Sequence, residues 1–180
     1  MDKFNKSLNP LEQDQEALKD KVQVEDYRPN LENFLASYEK FVPKMYKDSE
    51  GHDTFGYGFK ATPENLGIAN MLGYSQDRLT NEGMSEEDAK KMKRMLIDKY
   101  DQRLNKDLEG VFETLPANKK AALASMYYNS PALIGPNLKQ YVANNDDLGL
   151  AKEIVTNSNK NNSPGLLRRR LDEASPVCIS

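Results

Sequence analysis

The sequence predicts an α+β fold that is mostly helical, with a small antiparallel sheet lobe, a long connecting helix and a helical C-terminal lobe. Three observations carry this. Between Lys44 and Lys60 the aromatic and hydroxyl residues Tyr46, Thr54, Phe55 and Tyr57 are broken by Gly51, Gly56 and Gly58, as short strands joined by turns require. From Ser85 to about Phe112, Met92, Leu96, Tyr100, Leu104, Leu108 and Val111 recur every three or four places, giving one apolar stripe on a heavily charged helix. Beyond Pro63 nearly every other segment also carries apolar residues at helical spacing.

Taken in order, residues 1–29 are rich in Lys, Asp, Glu and Gln with few large apolar side chains, and read as a polar N-terminal extension, partly helical or a linker. The remainder, 30–180, reads as one domain, of a size that can bury a respectable core. Asn30 is placed to cap a helix carrying Leu31, Phe34, Leu35 and Tyr38, with Pro43 ending it, so that Glu39 falls in the last turns. The sheet follows, then a short helix over Glu64 to Leu72. The long helix, capped by Ser85, has roughly 26 residues and a length of about 39 Å, enough to bridge two lobes. Pro116 and Asn118 open a helix through Ala121, Leu123, Ala124 and Tyr127, whose small side chains suit a buried position, and Gly135 and Pro136 interrupt it. Segments at Asn137–Ala143 and Asp147–Val155, the polar loop NSNKNNS and a last helix from Pro164 complete the chain.

Composition excludes several classes of function. No apolar run approaches the roughly 20 residues of a membrane span, and the first thirty residues carry no secretory signal, so neither a membrane span nor Sec-type export is expected. A single cysteine, Cys178, rules out an internal disulfide. The net charge of −3 gives no global attraction to nucleic acid. The one strong basic run, Arg168, Arg169 and Arg170, sits on a helix, where ion pairs and solvation are its ordinary use, so no nucleic-acid partner is expected.

The chemistry concentrates in Tyr38 to Phe59. Cleaving a glycosidic bond needs one carboxyl that still holds its proton, to give to the leaving oxygen, and a second that is ionised. Glu39, at a helix C-terminus with Phe41 and Val42 able to shield it, is placed to stay protonated. Asp48, in a polar region punctuated by glycine, is placed to stay charged, and the Thr54 hydroxyl can hold a water against it. Most of the 28 acidic residues are solvated surface charges, so the discriminating feature is the arrangement: Glu39, eight residues, Asp48, five residues, Thr54, then Gly56-Tyr57-Gly58.

That arrangement, with Lys47-Asp48 and Glu50-Gly51, resembles the active-site segment of the T4-type phage lysozymes, glycoside hydrolase family 24. Two further stretches are similar to the same family: PGLLRRRLDE at 164–173, where two arginines and a later glutamate recur on the last helix, and KKAALASMYYN at 119–129, a buried central helix ending in an aromatic and an amide, here Tyr128 and Asn129. The resemblance spans about residues 30–175. It implies a lysozyme-like fold and a muramidase that hydrolyses the β-1,4 bond between N-acetylmuramic acid and N-acetylglucosamine of bacterial peptidoglycan with inversion. Glu39 would be the proton donor, Asp48 and Thr54 would position water, Tyr57, Tyr128 and Asn129 would bind substrate, and Arg169, ahead of Arg168 or Arg170, would support Glu39. No cofactor and no metal are implied. Expected settings are the host cytoplasm with release to the wall at lysis, or the virion, with the extension attaching a virion or lysis-system protein.

The chain departs from the family in two places. Phe59 stands where many members have histidine after the Gly-x-Gly, and its one histidine, His52, lies in the turn; Asn129 is followed by Ser130, Pro131, Ala132, Leu133 and Ile134 where glycine is usual. Two bland readings are set aside on chemistry: Asp48-Ser49-Glu50-Gly51 lacks the acidic twelfth residue of a calcium loop, having Phe59 there, and His52 with Cys178 lacks two further zinc ligands. The alternatives to a hydrolase are a transglycosylase, which has no use for an ionised Asp48, and a wall-binding virion module that keeps the fold without the activity.

Overall fold

The computed structural model describes residues 26–157 and 164–178. The N-terminal extension, apart from its last four residues, and most of the polar loop near 160 lie outside them.

Helix α1, Arg28–Tyr38, begins two residues before the Asn30 cap that the sequence predicts, with Tyr27 as its N-cap. Pro29 explains the difference, because a proline in the first turn gives up an N–H that had no helical partner there. The helix buries Leu31 and Leu35. It stops at Glu39, whose backbone is extended (φ −123°, ψ 116°), and Pro43 belongs to the following strand instead of ending the helix.

Strands β1 (Val42–Lys47), β2 (Asp53–Gly56) and β3 (Phe59–Lys60) form an antiparallel sheet in sequence order, with Tyr46 opposite Thr54 and Phe55 opposite Phe59. The register slips between Val42 and Tyr46. Gly56 and Gly58 both have left-handed backbones (φ +61° and +76°), which closes the β2–β3 hairpin over Tyr57 in three residues. Helices α2 (Pro63–Met71) and α3 (Gln76–Asn81) follow, each with a hydroxyl at its N-cap, Thr62 and Ser75.

Helix α4, Glu86–Asp107, is capped by Ser85 as expected, and its first turn carries Glu86, Glu87 and Asp88 against the helix dipole. It has 22 residues and ends at Leu108, shorter than expected, because Gly110 takes φ +88° and the chain passes into a 3-10 turn over Val111–Thr114. Helix α5, Ala117–Asn129, ends at Ser130, ahead of Gly135, and a further 3-10 turn covers Pro131–Leu133. Helices α6 (Pro136–Ala143), α7 (Asp147–Asn157) and α8 (Pro164–Ala174) close the C-terminal lobe.

Two apolar cores result. One lies between the sheet, α2, α3 and the first half of α4, around Phe55, Phe59, Leu79, Met92 and Leu96. The other joins α1, the second half of α4 and the C-terminal helices, around Leu31, Leu35, Leu104, Leu123, Met126 and Ile154. Helix α4 feeds both, and Tyr100 and Tyr128 pack against both cores. Residues at the seam between them are therefore held by two lobes at once.

Candidate active site

Glu39 occupies that seam. The end of α1 delivers it, the left-handed hairpin residue Gly58 lies against it, a Cβ there being in ordinary contact at 3.8 Å from the Glu39 carboxyl carbon, and α8 supplies Arg169 with Nη1 3.6 Å from Oε1. Only 16% of the Glu39 side chain is exposed, and Oε2 is buried with no hydrogen-bond partner. Burial pushes the Glu39 carboxyl up to about 7, although Arg169 and Lys93 attract its charged form and the Tyr128 hydroxyl is close enough to do the same. A carboxyl in this setting still holds much of its proton near neutrality.

Asp48 has the opposite surroundings. It follows β1, and one carboxylate oxygen accepts the backbone N–H groups of His52 (2.8 Å) and Glu50 (2.9 Å) in the turn closed by Gly51. These bonds, His52 first, hold its carboxyl below the usual aspartate value. The second oxygen is 3.4 Å from the hydroxyl of Thr54, which β2 places beside it and which is buried. Tyr46, on β1 opposite Thr54, has a phenol raised by burial and then by both Asp48 and Glu39, so the two carboxyls act on one neighbour.

Of the aromatic candidates, Tyr57 is buried: its hydroxyl donates to Glu86 (2.9 Å), the Lys93 ammonium lies 3.7 Å from its ring centroid, and Phe41 packs beside it. The structure therefore ties both ends of this side chain to protein. Tyr128 is half-buried and donates to the Tyr57 carbonyl (3.3 Å), linking α5 to the hairpin. Asn129 is exposed, and its carbonyl oxygen accepts from Arg170 (2.8 Å).

The three arginines divide their work by helical phase. Arg168 is exposed, whereas Arg169 and Arg170 are buried. Arg169 reaches Glu39, Glu173 (3.1 Å) and the Ser125 hydroxyl (3.2 Å), while its guanidinium lies over the Tyr38 ring. Glu173 is itself buried, accepts from Ser125 and pairs with Arg170. This cluster fixes Arg169 from behind. Sequence reasoning found Arg169 but missed Ser125, Tyr46 and Lys93; for Lys93 the signal was its place on the apolar stripe of α4, between Met92 and Leu96.

For a metal, the ligand atoms of Asp48, Glu50 and His52 lie within 4.8 Å of one another. Glu50 and His52 are exposed and Asp48 is half-buried, and the Lys60 ammonium, 3.0 Å from Glu50, already answers one of the carboxylates. Among the described residues no helix is long and apolar enough to cross a membrane. The chain has no match among the curated proteins. A profile of the phage lysozymes, however, matches residues 36–173, a stretch that runs from the end of α1 through the sheet, the bridging helix and Arg169 to Glu173. The α+β architecture with its sheet lobe, connecting helix and helical lobe is lysozyme-like, and the chain belongs to the phage lysozyme family.

Proposed function

We propose that the protein is an inverting muramidase of the T4-type, glycoside hydrolase family 24, which hydrolyses the β-1,4 bond between N-acetylmuramic acid and N-acetylglucosamine in bacterial peptidoglycan. Family membership supports a peptidoglycan-hydrolysing lysozyme in general terms. The observation that carries the finer reading is the contrast between two carboxyls: Glu39 raised to about 7 by burial, Asp48 lowered by backbone N–H groups.

In this reading Glu39 gives its proton to the glycosidic oxygen as the bond breaks, and Arg169 and Lys93 then stabilise the carboxylate left behind. Asp48 keeps its charge and uses the oxygen nearer Thr54 to accept from a water, while the Thr54 hydroxyl supplies a second contact. Two polar atoms 3.4 Å apart can each reach one water at about 2.8 Å. That water attacks the anomeric carbon from the face away from the leaving group, which inverts it. Asn129, exposed at the end of α5, contacts the sugar, with Tyr128 beside it. Tyr57 acts from behind, because its side chain is engaged by Glu86 and Lys93. The polar N-terminal extension, residues 1–29, serves as an attachment to a virion or lysis-system partner, and the enzyme meets the wall at lysis or from the virion.

Digestion of purified peptidoglycan, followed by mass spectrometry and by NMR of the first-formed anomer, tests this. Reducing N-acetylmuramic acid ends of α configuration are expected. A 1,6-anhydro product would overturn hydrolysis in favour of transglycosylation, and no product at all would leave only a wall-binding module.

A further inference from the structure

Lys93 lies on the buried face of α4 and is only 5% exposed, between Met92 of the sheet-lobe core and Leu96. Lysine is seldom buried without a carboxylate partner. Among the described residues, no carboxylate closes an ion pair with this one; its ammonium instead rests 3.7 Å from the centroid of the Tyr57 ring. Tyr57 in turn is fixed through its hydroxyl to Glu86, two turns before Lys93 on the same face of α4, and Glu86 is answered by Lys90. The Tyr57 carbonyl takes the Tyr128 hydroxyl, and the next residue, Gly58, backs the Glu39 carboxyl. Lys93 is thus attached, through one aromatic ring, to the turn against which Glu39 is seated.

We propose that Lys93 is a positioning residue for the proton on Glu39: its buried ammonium, held on Tyr57, supplies a second positive charge beside Arg169 and clamps the Gly56–Gly58 hairpin against the Glu39 carboxyl. The inference rests on Glu39 being the general acid. Groups facing Glu39 come from every surrounding element: Arg169 from α8, Tyr128 from α5, Lys93 and Tyr100 from α4, and Tyr46 from β1. Of these groups among the described residues, Arg169 and Lys93 are the cations. Arg169 shares its guanidinium with Glu173, so part of its charge is already answered, whereas Glu39 is the first carboxylate felt by Lys93, ahead of Glu32. Glu32 is itself paired with Arg94 (3.1 Å). Removing the Lys93 charge therefore leaves burial of Glu39 less opposed, and its proton is held to higher pH.

The test is an NMR titration of the Glu39 carboxyl carbon in full-length wild type, Lys93→Met, Lys93→Gln and Lys93→Arg, beside the pH dependence of kcat/KM on purified peptidoglycan. Met and Gln are expected to move the Glu39 midpoint, and with it the alkaline limb of activity, up by about one pH unit, as a unit charge acting through a partly buried path does. Arg is expected to restore both toward wild type. Two neutral variants guard against one of them failing to fold, which cooperative thermal melting reports. An unchanged Glu39 midpoint in the folded neutral variants overturns the inference. A midpoint that moves while the activity limb stays put upholds the role of Lys93 and instead overturns the assignment of Glu39 as general acid.

Discussion

A carboxyl acquires its acid or base character from what surrounds it, and residues 39 and 48 show how little covalent difference is needed. Glu39 has one oxygen buried without a partner and a guanidinium at 3.6 Å, loose enough that burial outweighs attraction. Asp48 receives two short backbone bonds on a single oxygen, and they outweigh its desolvation. Activity should therefore be bell-shaped in pH: kcat/KM declines about tenfold per unit above pH 7 as Glu39 loses its proton, and declines on the acid side only below the ordinary aspartate range. Glu39→Gln should abolish clearing of a wall suspension at every pH. Asp48→Asn should lose at least about a hundredfold and should flatten the acid limb, because the titrating group on that side is gone. A variant of Asp48 that kept the wild-type acid limb would assign that limb to another residue. Arg169→Lys should preserve charge yet lose much of its effect, since lysine cannot reach Glu39, Glu173 and Ser125 together with one planar fork.

At the scale of elements, the site depends on two tight turns and two helix ends. Gly56 tests this most directly: its φ is +61°, and a Cβ would come within 2.7 Å of the Phe59 ring, which is itself buried and paired across the hairpin with Phe55. Gly51, at φ +84° with open space around it, has the conformational demand without the clash. Gly56→Ala should thus destabilise by about 2–3 kcal/mol and Gly51→Ala by about 1 kcal/mol in urea unfolding. Equal effects would show that the ring yields and that strain alone is at work. Turns of this kind are legible because glycine spacing marks them, and so were the sheet, the Ser85 cap and the last helix. The helix ends that miss were set by local rules that compete. Pro29 starts α1 where Asn30 was the stronger cap by residue type, and Gly110 ends α4 although Val111 and Phe112 continue its apolar rhythm. The short α3 was not foreseen, since six residues hold too few apolar positions to show a period. In the site, the acidic pair and Thr54 could be read because their spacing is local. Lys93 and Ser125 meet the site from distant segments, Lys93 marked only by its place on the apolar stripe of α4, whereas Tyr46, two residues before Asp48, looks like any other strand aromatic.

For the whole molecule, the consequence of seating an acid at the seam of two cores is a stability that depends on pH in the sense opposite to that of most carboxylates. Where folding lowers a carboxyl, as for Glu64 beside Lys99 and Arg103, stability is present above the unfolded value and lost as pH falls through the folded one. Glu39 reverses this. Its folded value of about 7 exceeds the ordinary 4.5, so the folded state binds the proton more tightly, and stability is full below about pH 4.5 and lost progressively as pH rises through 7. The gap corresponds to about 3 kcal/mol, appropriate to a side chain this little exposed. Glu39→Gln removes the charge while nearly keeping the shape, and Arg169 retains Glu173 as its counterion. This variant should then match wild type in melting temperature near pH 4.5 and exceed it by several degrees at pH 8.5, the difference opening between those values. Were the variant less stable than wild type at pH 8.5, the Arg169 pair would outweigh burial, and the raised Glu39 carboxyl on which the proposed acid role depends would not exist.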